Sequence, residues 1–420
     1  MRVLLTTPFP LLPADTGGKI RSLQTFSRLA KRMEIHAVSF ADVVREKEEI
    51  AAMRDIFASY TPVPWSESEK YSARFYLDLL ENQLSPLPYF LAKCCRREFT
   101  EAMKAVFLRH GADLLLCDFL QTAVPGLELS IPRRVIFQHN VEYLLRRRQC
   151  EAESSPVKKW LFGREWRKTR KIEERVCRAF DHVIAVSRED REVFEKEFGV
   201  KSVSTIATGV DSDYFQPQPI PVQPGRLAFV GSMDWYPNED GVIWFLNEVY
   251  PLISKQAANV SFKIIGRNPS AHLSAAVARL PEVELTGRVE DVRPFLAEAE
   301  VIVVPLRAGG GTRIKIPEAM AMGKAVVSTT VGAEGLPFTD GQEIMVADEP
   351  QHFAEAVTQL LSNSDLRIQI ENTARERVRR HHGWDAVVDE LEEVLMAVDG
   401  REMLSHLPGE QTVETVDLVE

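Results

Sequence analysis

The chain has little that would tie it to a membrane span, a disulfide scaffold or a polynucleotide. No apolar run approaches the roughly 20 residues that cross a bilayer, and the opening MRVLLTTPFP lacks the long apolar core of a secretory signal. A soluble or at most peripheral protein is expected. Cysteine is scarce. Cys94, Cys95, Cys117, Cys150 and Cys177 are odd in number, scattered and without metal-ligand spacing. That argues against a disulfide framework and fits a reducing, cytoplasmic compartment. A basic balance is missing too, and a net charge of −10 argues against a general nucleic-acid binder. Internal repeats and low-complexity segments are absent. No GxGxxG follows the first apolar run, so a dinucleotide fold is unsupported there.

What is present is ordinary globular composition, 45% hydrophobic and 27% charged, over 420 residues, enough for two domains each with its own core. The most informative stretch is 301–330, VIVVPLRAGGGTRIKIPEAMAMGKAVVSTT. Residues 301–305 read as a strand buried on both faces. Gly309-Gly310-Gly311 makes a loop, a short helix with Pro317 near its start stops at Gly323, and 325–330 is a second strand. The loop glycines leave backbone N–H groups uncovered, and a helix N-terminus adds partial positive charge at the same place. Arg313 and Lys315 sit on that corner, with the fork and the point charge that suit phosphate oxygens. Glu318 can accept hydrogen bonds from hydroxyls such as those of a ribose. A nucleotide-sugar pocket is one reading. On spacing alone a plain glycine-rich crossover with solvated cations is equally good.

Before this unit the chain alternates strands and helices. Strands are expected at 2–7, 34–40, 112–118, 133–137, 181–186 and 201–206, then at 227–231, 260–266 and 283–286, with helices at 20–32, 239–249 and 291–298. Such alternation specifies parallel sheets with helices on both faces. The proline-punctuated stretch 41–110 reads as mostly helical, and 216–224 as a Pro-rich linker. Gly17-Gly18 opens the first helix and is either an anion or sugar site or a simple turn. Asp118 ends a strand and reads more as a turn cap than as a cleft residue. His139 also ends a strand, where ligands approach such sheets, although a backbone-satisfied His is the usual reading. Ser187 fits a helix cap, and Asp211-Ser212-Asp213 fits turn chemistry better than a metal site. Residues 143–171 concentrate Arg and Lys around Trp160, Leu161, Phe162 and Trp166. This stretch is either an anionic membrane contact or a solvated helix pair with inward aromatics.

Taken together, these residues resemble the GT-B glycosyltransferases, specifically the large retaining family numbered four. The motifs are 301–330, Ile265-Gly266, residues 287–292 and Pro317-Glu318-Ala319-Met320-Ala321-Met322-Gly323. Gly17-Gly18, His139 and Thr208-Gly209-Val210-Asp211 complete them. The resemblance implies an α/β protein of two Rossmann-like doubly wound parallel-sheet domains facing a cleft. Residues 1–215 would bind an acceptor, 216–224 link, and 225–382 bind a nucleotide sugar. A helix at 383–398 would cross back to the first domain, and 399–420 would be an acidic disordered tail.

The resemblance further implies transfer of a hexose-type sugar, with retention and no cofactor or metal, from a nucleoside-diphosphate sugar to a saccharide or lipid-linked saccharide. His139, Arg313 and Lys315 would be catalytic. Gly17, Gly18, Gly231, Gly266, Val289, Gly309, Gly310, Gly311, Thr312 and Glu318 would bind the donor. Two positions depart from the pattern. Gly310 replaces the first of two family glutamates, and Ser232 and Pro237 stand where the family carries Arg and Lys. Arg313 and Lys315 are expected to substitute for those cations. A sugar-nucleotide epimerase and a non-catalytic nucleotide-sugar-binding module are the alternatives.

Overall fold

Leu4 points into one apolar core and its neighbours Val3 and Leu5 into another, so the first strand is buried on both faces. A strand with period-two side chains can do this only inside a sheet covered by helices on each side. The computed structural model describes residues 1–65, 72–153, 155–257, 259–308 and 314–400. The first sheet holds β1 (Arg2–Thr7), β2 (Glu34–Ala41), β3 (Ser59–Pro64), β4 (Leu114–Asp118), β5 (Arg134–Phe137), β6 (His182–Ala185) and β7 (Val203–Thr205). Their order is β3-β2-β1-β4-β5-β6-β7. The second holds β8 (Arg226–Val230), β9 (Ser261–Ile265), β10 (Val283–Gly287), β11 (Val301–Val304), β12 (Ala325–Ser328) and β13 (Met345–Val346). Their order is β10-β9-β8-β11-β12-β13. The strand pairings are parallel throughout.

Both sheets reverse direction of winding once, between β1 and β4 and between β8 and β11. In open α/β sheets the ligand crevice lies outside the carboxyl ends of the strands at that reversal. Asp118 closes β4, and Gly231 immediately follows β8, so each domain presents polar or uncovered groups at its own switch point.

One expected element differs. The stretch 41–110 is not helical throughout, because Ser59–Pro64 forms β3 and pairs with β2. Two prolines in that segment obscure the strand. They are tolerated because β3 is the sheet edge, where missing N–H donors break no ladder.

The helix Trp384–Val398 returns to the first domain. Trp384, Val387, Val388, Leu391 and Leu395 enter the same core as Phe26 and Leu29 of the helix Gly17–Leu29. Arg28 meets Asp385 at 3.3 Å, and Arg32 meets Glu392 at 3.0 Å. Val210 donates to the His382 carbonyl at 2.7 Å. A Cβ at Gly209 would stand 2.5 Å from Trp384 Cε3, so the glycine is what lets the indole seat. Of the expected tail at 399–420, residues 401–420 lie outside the described residues.

Candidate active site at the carboxyl ends of two sheets

The first-domain wall is built around a buried acid. Asp118 Oδ1 lies 2.6 Å from His139 Nε2, and Ser22 Oγ donates to Asp118 Oδ2 at 2.6 Å. Asp118 is therefore a buried anchor for His139 rather than the turn cap its position suggested. Phe119 has φ 69°, a conformation that costs a bulky residue of order 1–3 kcal/mol. The turn lays its ring flat on the imidazole, with centroids 3.8 Å apart. Burial holds the His139 pKa below its ordinary value, Asp118 pulls it up, and Arg21 pushes it further down. A neutral ring beside a carboxylate carries its proton on Nε2, which leaves Nδ1 as an acceptor. Nδ1 is buried and has no hydrogen-bond partner among the described residues.

Gly18 borders the same ring. A Cβ there would meet Phe119 Cζ at 3.0 Å and His139 Nδ1 at 4.0 Å. Gly17 and Gly18 lie in the first turn of the helix Gly17–Leu29, which starts three residues earlier than its apolar pattern suggested because Thr16 caps it. Arg21 is fully buried, donates to the Ile206 carbonyl at 2.5 Å and stacks over Phe137. Burial pushes its pKa down to about 9, against the pull of Asp118 and Asp190. Sequence reasoning missed Ser22, Arg21 and Phe119. Their only signal is three polar or strained positions facing one strand end, which chain order does not reveal.

The second-domain wall is built on two touching glycines. A Cβ at Gly266 would stand 1.8 Å from the Gly231 carbonyl oxygen, and Gly231 donates to the Ile265 carbonyl at 2.9 Å. A Cβ on Gly231 would lie 2.8 Å from Lys315 Nζ. The bare backbone thus makes room for the ammonium, which donates to Asn238 Oδ1 at 2.8 Å and sits 4.3 Å above the Phe229 ring. Glu318 lies one turn along the helix Lys315–Ala321. Burial pushes its carboxyl up to about 8, with Lys315 pulling the other way. Val289 follows β10, half-buried against the second core. Gly309, Gly310, Gly311, Thr312 and Arg313 lie outside the described residues. The structure thus brings Gly18 to His139, and Gly231 and Gly266 to Lys315.

Between the domains, Arg148 holds Glu334 through two hydrogen bonds of 3.0 and 3.2 Å. They flank a cavity of about 170 Å³ whose wall includes Asn140, Ser187, Asp190 and Thr208. Ser187 caps its helix by accepting from Asp190 N, and Asp211 caps a turn by accepting from Tyr214 N. A larger cavity of about 380 Å³ opens at the ends of β1 to β3, bordered by Phe9, Phe40, Trp65, Lys93 and Gln121. Phe9 packs edge-on against Phe119 at 5.6 Å, so aromatic contact runs from that cavity to His139.

Two doubly wound parallel domains, each with its switch point at the carboxyl ends of its strands, match the GT-B class. Residues 27–214 match the family model described as Glycosyltransferase Family 4, and residues 224–363 match Glycosyl transferases group 1. The chain belongs to the GT-B glycosyltransferases of family 4. Among curated proteins it is 21% identical over 270 residues to an uncharacterized 44.6 kDa protein in the cps region of Klebsiella pneumoniae, covering 62% of this chain and 68% of that one. It is 26% identical over 186 residues to a phosphatidyl-myo-inositol mannosyltransferase of Mycolicibacterium smegmatis, covering 40% of this chain and 48% of that one.

Among solved structures it resembles sucrose-phosphate synthase from Thermosynechococcus elongatus, with a TM-score of 0.71 at 15% identity, covering 96% of this chain and 100% of that one. It also resembles Anabaena HepE in complex with UDP-glucose, with a TM-score of 0.65 at 14% identity, covering 94% of this chain and 100% of that one.

Proposed function

We propose that the protein moves a hexose-type sugar from a nucleoside-diphosphate sugar to a saccharide or lipid-linked saccharide, with retention, in glycan biosynthesis. The observation that carries this reading is Lys315 seated on the bare Gly231 backbone with Glu318 one turn further on. An ammonium there meets diphosphate oxygens, and Glu318 accepts from ribose hydroxyls. Gly266 and Val289 border the nucleoside side, and the sequence alone assigns Gly309 to Thr312 and Arg313, outside the described residues, to the phosphate. Fixed positive charge of this kind stabilises a departing diphosphate without a metal. On the first domain, His139 Nδ1 accepts from a hydroxyl of the sugar, beside Gly17 and Gly18. HepE, whose fold this chain shares, binds UDP-glucose.

The test is a thermal-stability screen against nucleoside diphosphates and their sugars, since a ligand that binds the native state raises its stability by mass action. Stabilisation by one nucleoside diphosphate, lost in Lys315→Ala, is expected. Absence of stabilisation by any of them overturns the reading. Conversion of the donor without an acceptor favours an epimerase instead.

A lipid-linked acceptor is favoured by a surface patch. No described helix is long and apolar enough to cross a membrane. The basic stretch folds into the paired helices Glu142–Ala152 and Pro156–Ala179, and much of its charge is engaged within the protein. Arg146 stacks over Phe90, Arg147 pairs with Glu151, Arg148 with Glu334, and Trp166 packs inward. What stays outward is narrower than 143–171. Val157 and Trp160 are exposed beside Lys158 and Lys159, and so are Leu77, Leu80 and Leu84. Arg164 joins the two groups by stacking on Trp160 and donating to the Gln83 carbonyl at 3.1 Å. Apolar side chains ringed by lysines suit the headgroup layer of an anionic bilayer. The mannosyltransferase relative carries a lipid acceptor in its name.

A further inference from the structure

The loop after β8 carries Ser232 and Pro237 where the family resemblance has Arg and Lys, which leaves that strand end without a cation of its own. The neighbouring strand supplies one. Arg267 follows Gly266 at the end of β9, and its Nε donates to Ser232 Oγ at 2.9 Å. Ser232 Oγ in turn donates to Asp234 Oδ1 at 2.5 Å, and Asn268 Nδ2 donates to Asp234 Oδ2 at 3.0 Å. Met233 N bonds the Arg267 carbonyl at 2.9 Å, so the two loops are fastened by backbone as well as side chain.

The result is a guanidinium fixed through one of its five N–H groups. Among the described residues Arg267 has no ion-pair contact within 4 Å, although its charge, behind the hydrogen bonds from Ser232 and Asn268, helps hold the Asp234 carboxyl down, and no other hydrogen bond of its side chain is found. The Asp234 carboxylate is occupied by Ser232 and Asn268. Arg267 and Lys315 therefore flank one dipeptide, Gly231-Ser232, the first from β9 and the second from the helix after β11. A diphosphate carries more than one negative charge, and a planar fork binds two of its oxygens at once.

We infer that Arg267, held in place by Ser232, binds the diphosphate of the donor and takes over the position of the cation that β8 lacks. This rests on the nucleoside-diphosphate sugar reading given above. In this site Ser232 is a positioning residue and Arg267 a ligand-binding one.

The experiment measures, by calorimetric titration, the affinity of wild type, Arg267→Ala, Arg267→Lys and Ser232→Ala for the nucleoside diphosphate that stabilises the wild type and for the corresponding monophosphate. Arg267→Ala should weaken the diphosphate at least tenfold and the monophosphate less than twofold. Arg267→Lys should recover part of that loss, and Ser232→Ala should lose an intermediate amount. A residue that merely braces the two loops would weaken both nucleotides alike, and that result overturns the inference, as does a diphosphate-to-monophosphate ratio within twofold of wild type. If Arg267→Ala does not fold, the same ratio in Ser232→Ala decides. Should the wild type bind no nucleoside diphosphate, the donor reading itself fails, an outcome distinct from the loss of Arg267's role alone.

Discussion

Asp118 Oδ1 stands 2.6 Å from His139 Nε2 beneath the ring of Phe119, with Asp118 fully buried and His139 3% exposed. The carboxylate fixes which nitrogen carries the proton, and so which one is left to accept from a ligand. In Asp118→Asn the amide can turn its N–H toward Nε2, which moves the imidazole proton to Nδ1. His139 would then offer the sugar a donor instead of an acceptor. Turnover is expected to fall on the order of a hundredfold with donor KM nearly unchanged. Removing the carboxylate also strips Arg21 of its nearest counter-charge, so the melting temperature should drop. A mutant as active as wild type would place His139 outside the reaction.

The alternation of apolar runs with helical periods was enough to read two doubly wound sheets, because strands buried on both faces leave uninterrupted Val, Ile and Leu. It failed at β3, where Pro62 and Pro64 mark an edge strand by the same residues that mark a break. At the site, His139, Lys315 and Glu318 could be singled out from motif positions. Asp118 could not be separated from a turn cap, because its partners Ser22 and His139 lie 96 and 21 residues away. The basic stretch could not be divided between membrane contact and inward packing, because partners such as Glu334 belong to other elements.

Glu318 gives a pH signature. Its folded pKa, pushed up to about 8, lies above the ordinary carboxyl value of 4.5. The native state therefore holds a proton that the unfolded chain releases near pH 4.5, and stability from this group declines as pH rises from there to about 8. An ionised carboxylate accepts from ribose hydroxyls more strongly than a neutral carboxyl, so affinity for the nucleoside diphosphate should increase with pH and level off above about 8. Titrations at several pH values in wild type and Glu318→Gln test this. The Gln variant should bind more weakly at high pH and lose that slope. Equal slopes would remove Glu318 from the ribose contact.

Gly209 and Trp384 tie the end of the first domain, just ahead of the linker, to the returning helix. A methyl at Gly209 would overlap the indole at 2.5 Å. Gly209→Ala should cost about 1–3 kcal/mol as an overpacked contact. Trp384→Ala, which empties a buried site, should cost about 3–5 kcal/mol. Urea unfolding followed by fluorescence would measure both, with the five other tryptophans reporting in the second variant. If the two losses simply add in the double mutant, the glycine and the indole are not coupled as the structure has them.

The patch around Trp160 separates charge from apolar contact. Lys158 and Lys159 are exposed beside it, and a basic residue near an anionic membrane contributes about 1 kcal/mol. Replacing both with Gln should therefore weaken binding to phosphatidylglycerol-containing vesicles by about 2 kcal/mol, roughly thirtyfold. High salt should mimic that loss, because the screening length falls from about 10 Å at 0.1 M to about 3 Å at 1 M. Trp160→Ala and Leu80→Ala should instead weaken binding at both salt concentrations, since burial of apolar surface is not screened. Co-sedimentation with vesicles of phosphatidylcholine alone and with phosphatidylglycerol added reads all three variants. Wild-type protein that stays in the supernatant with both vesicle types would remove the membrane from the acceptor reading while leaving the nucleotide site untouched.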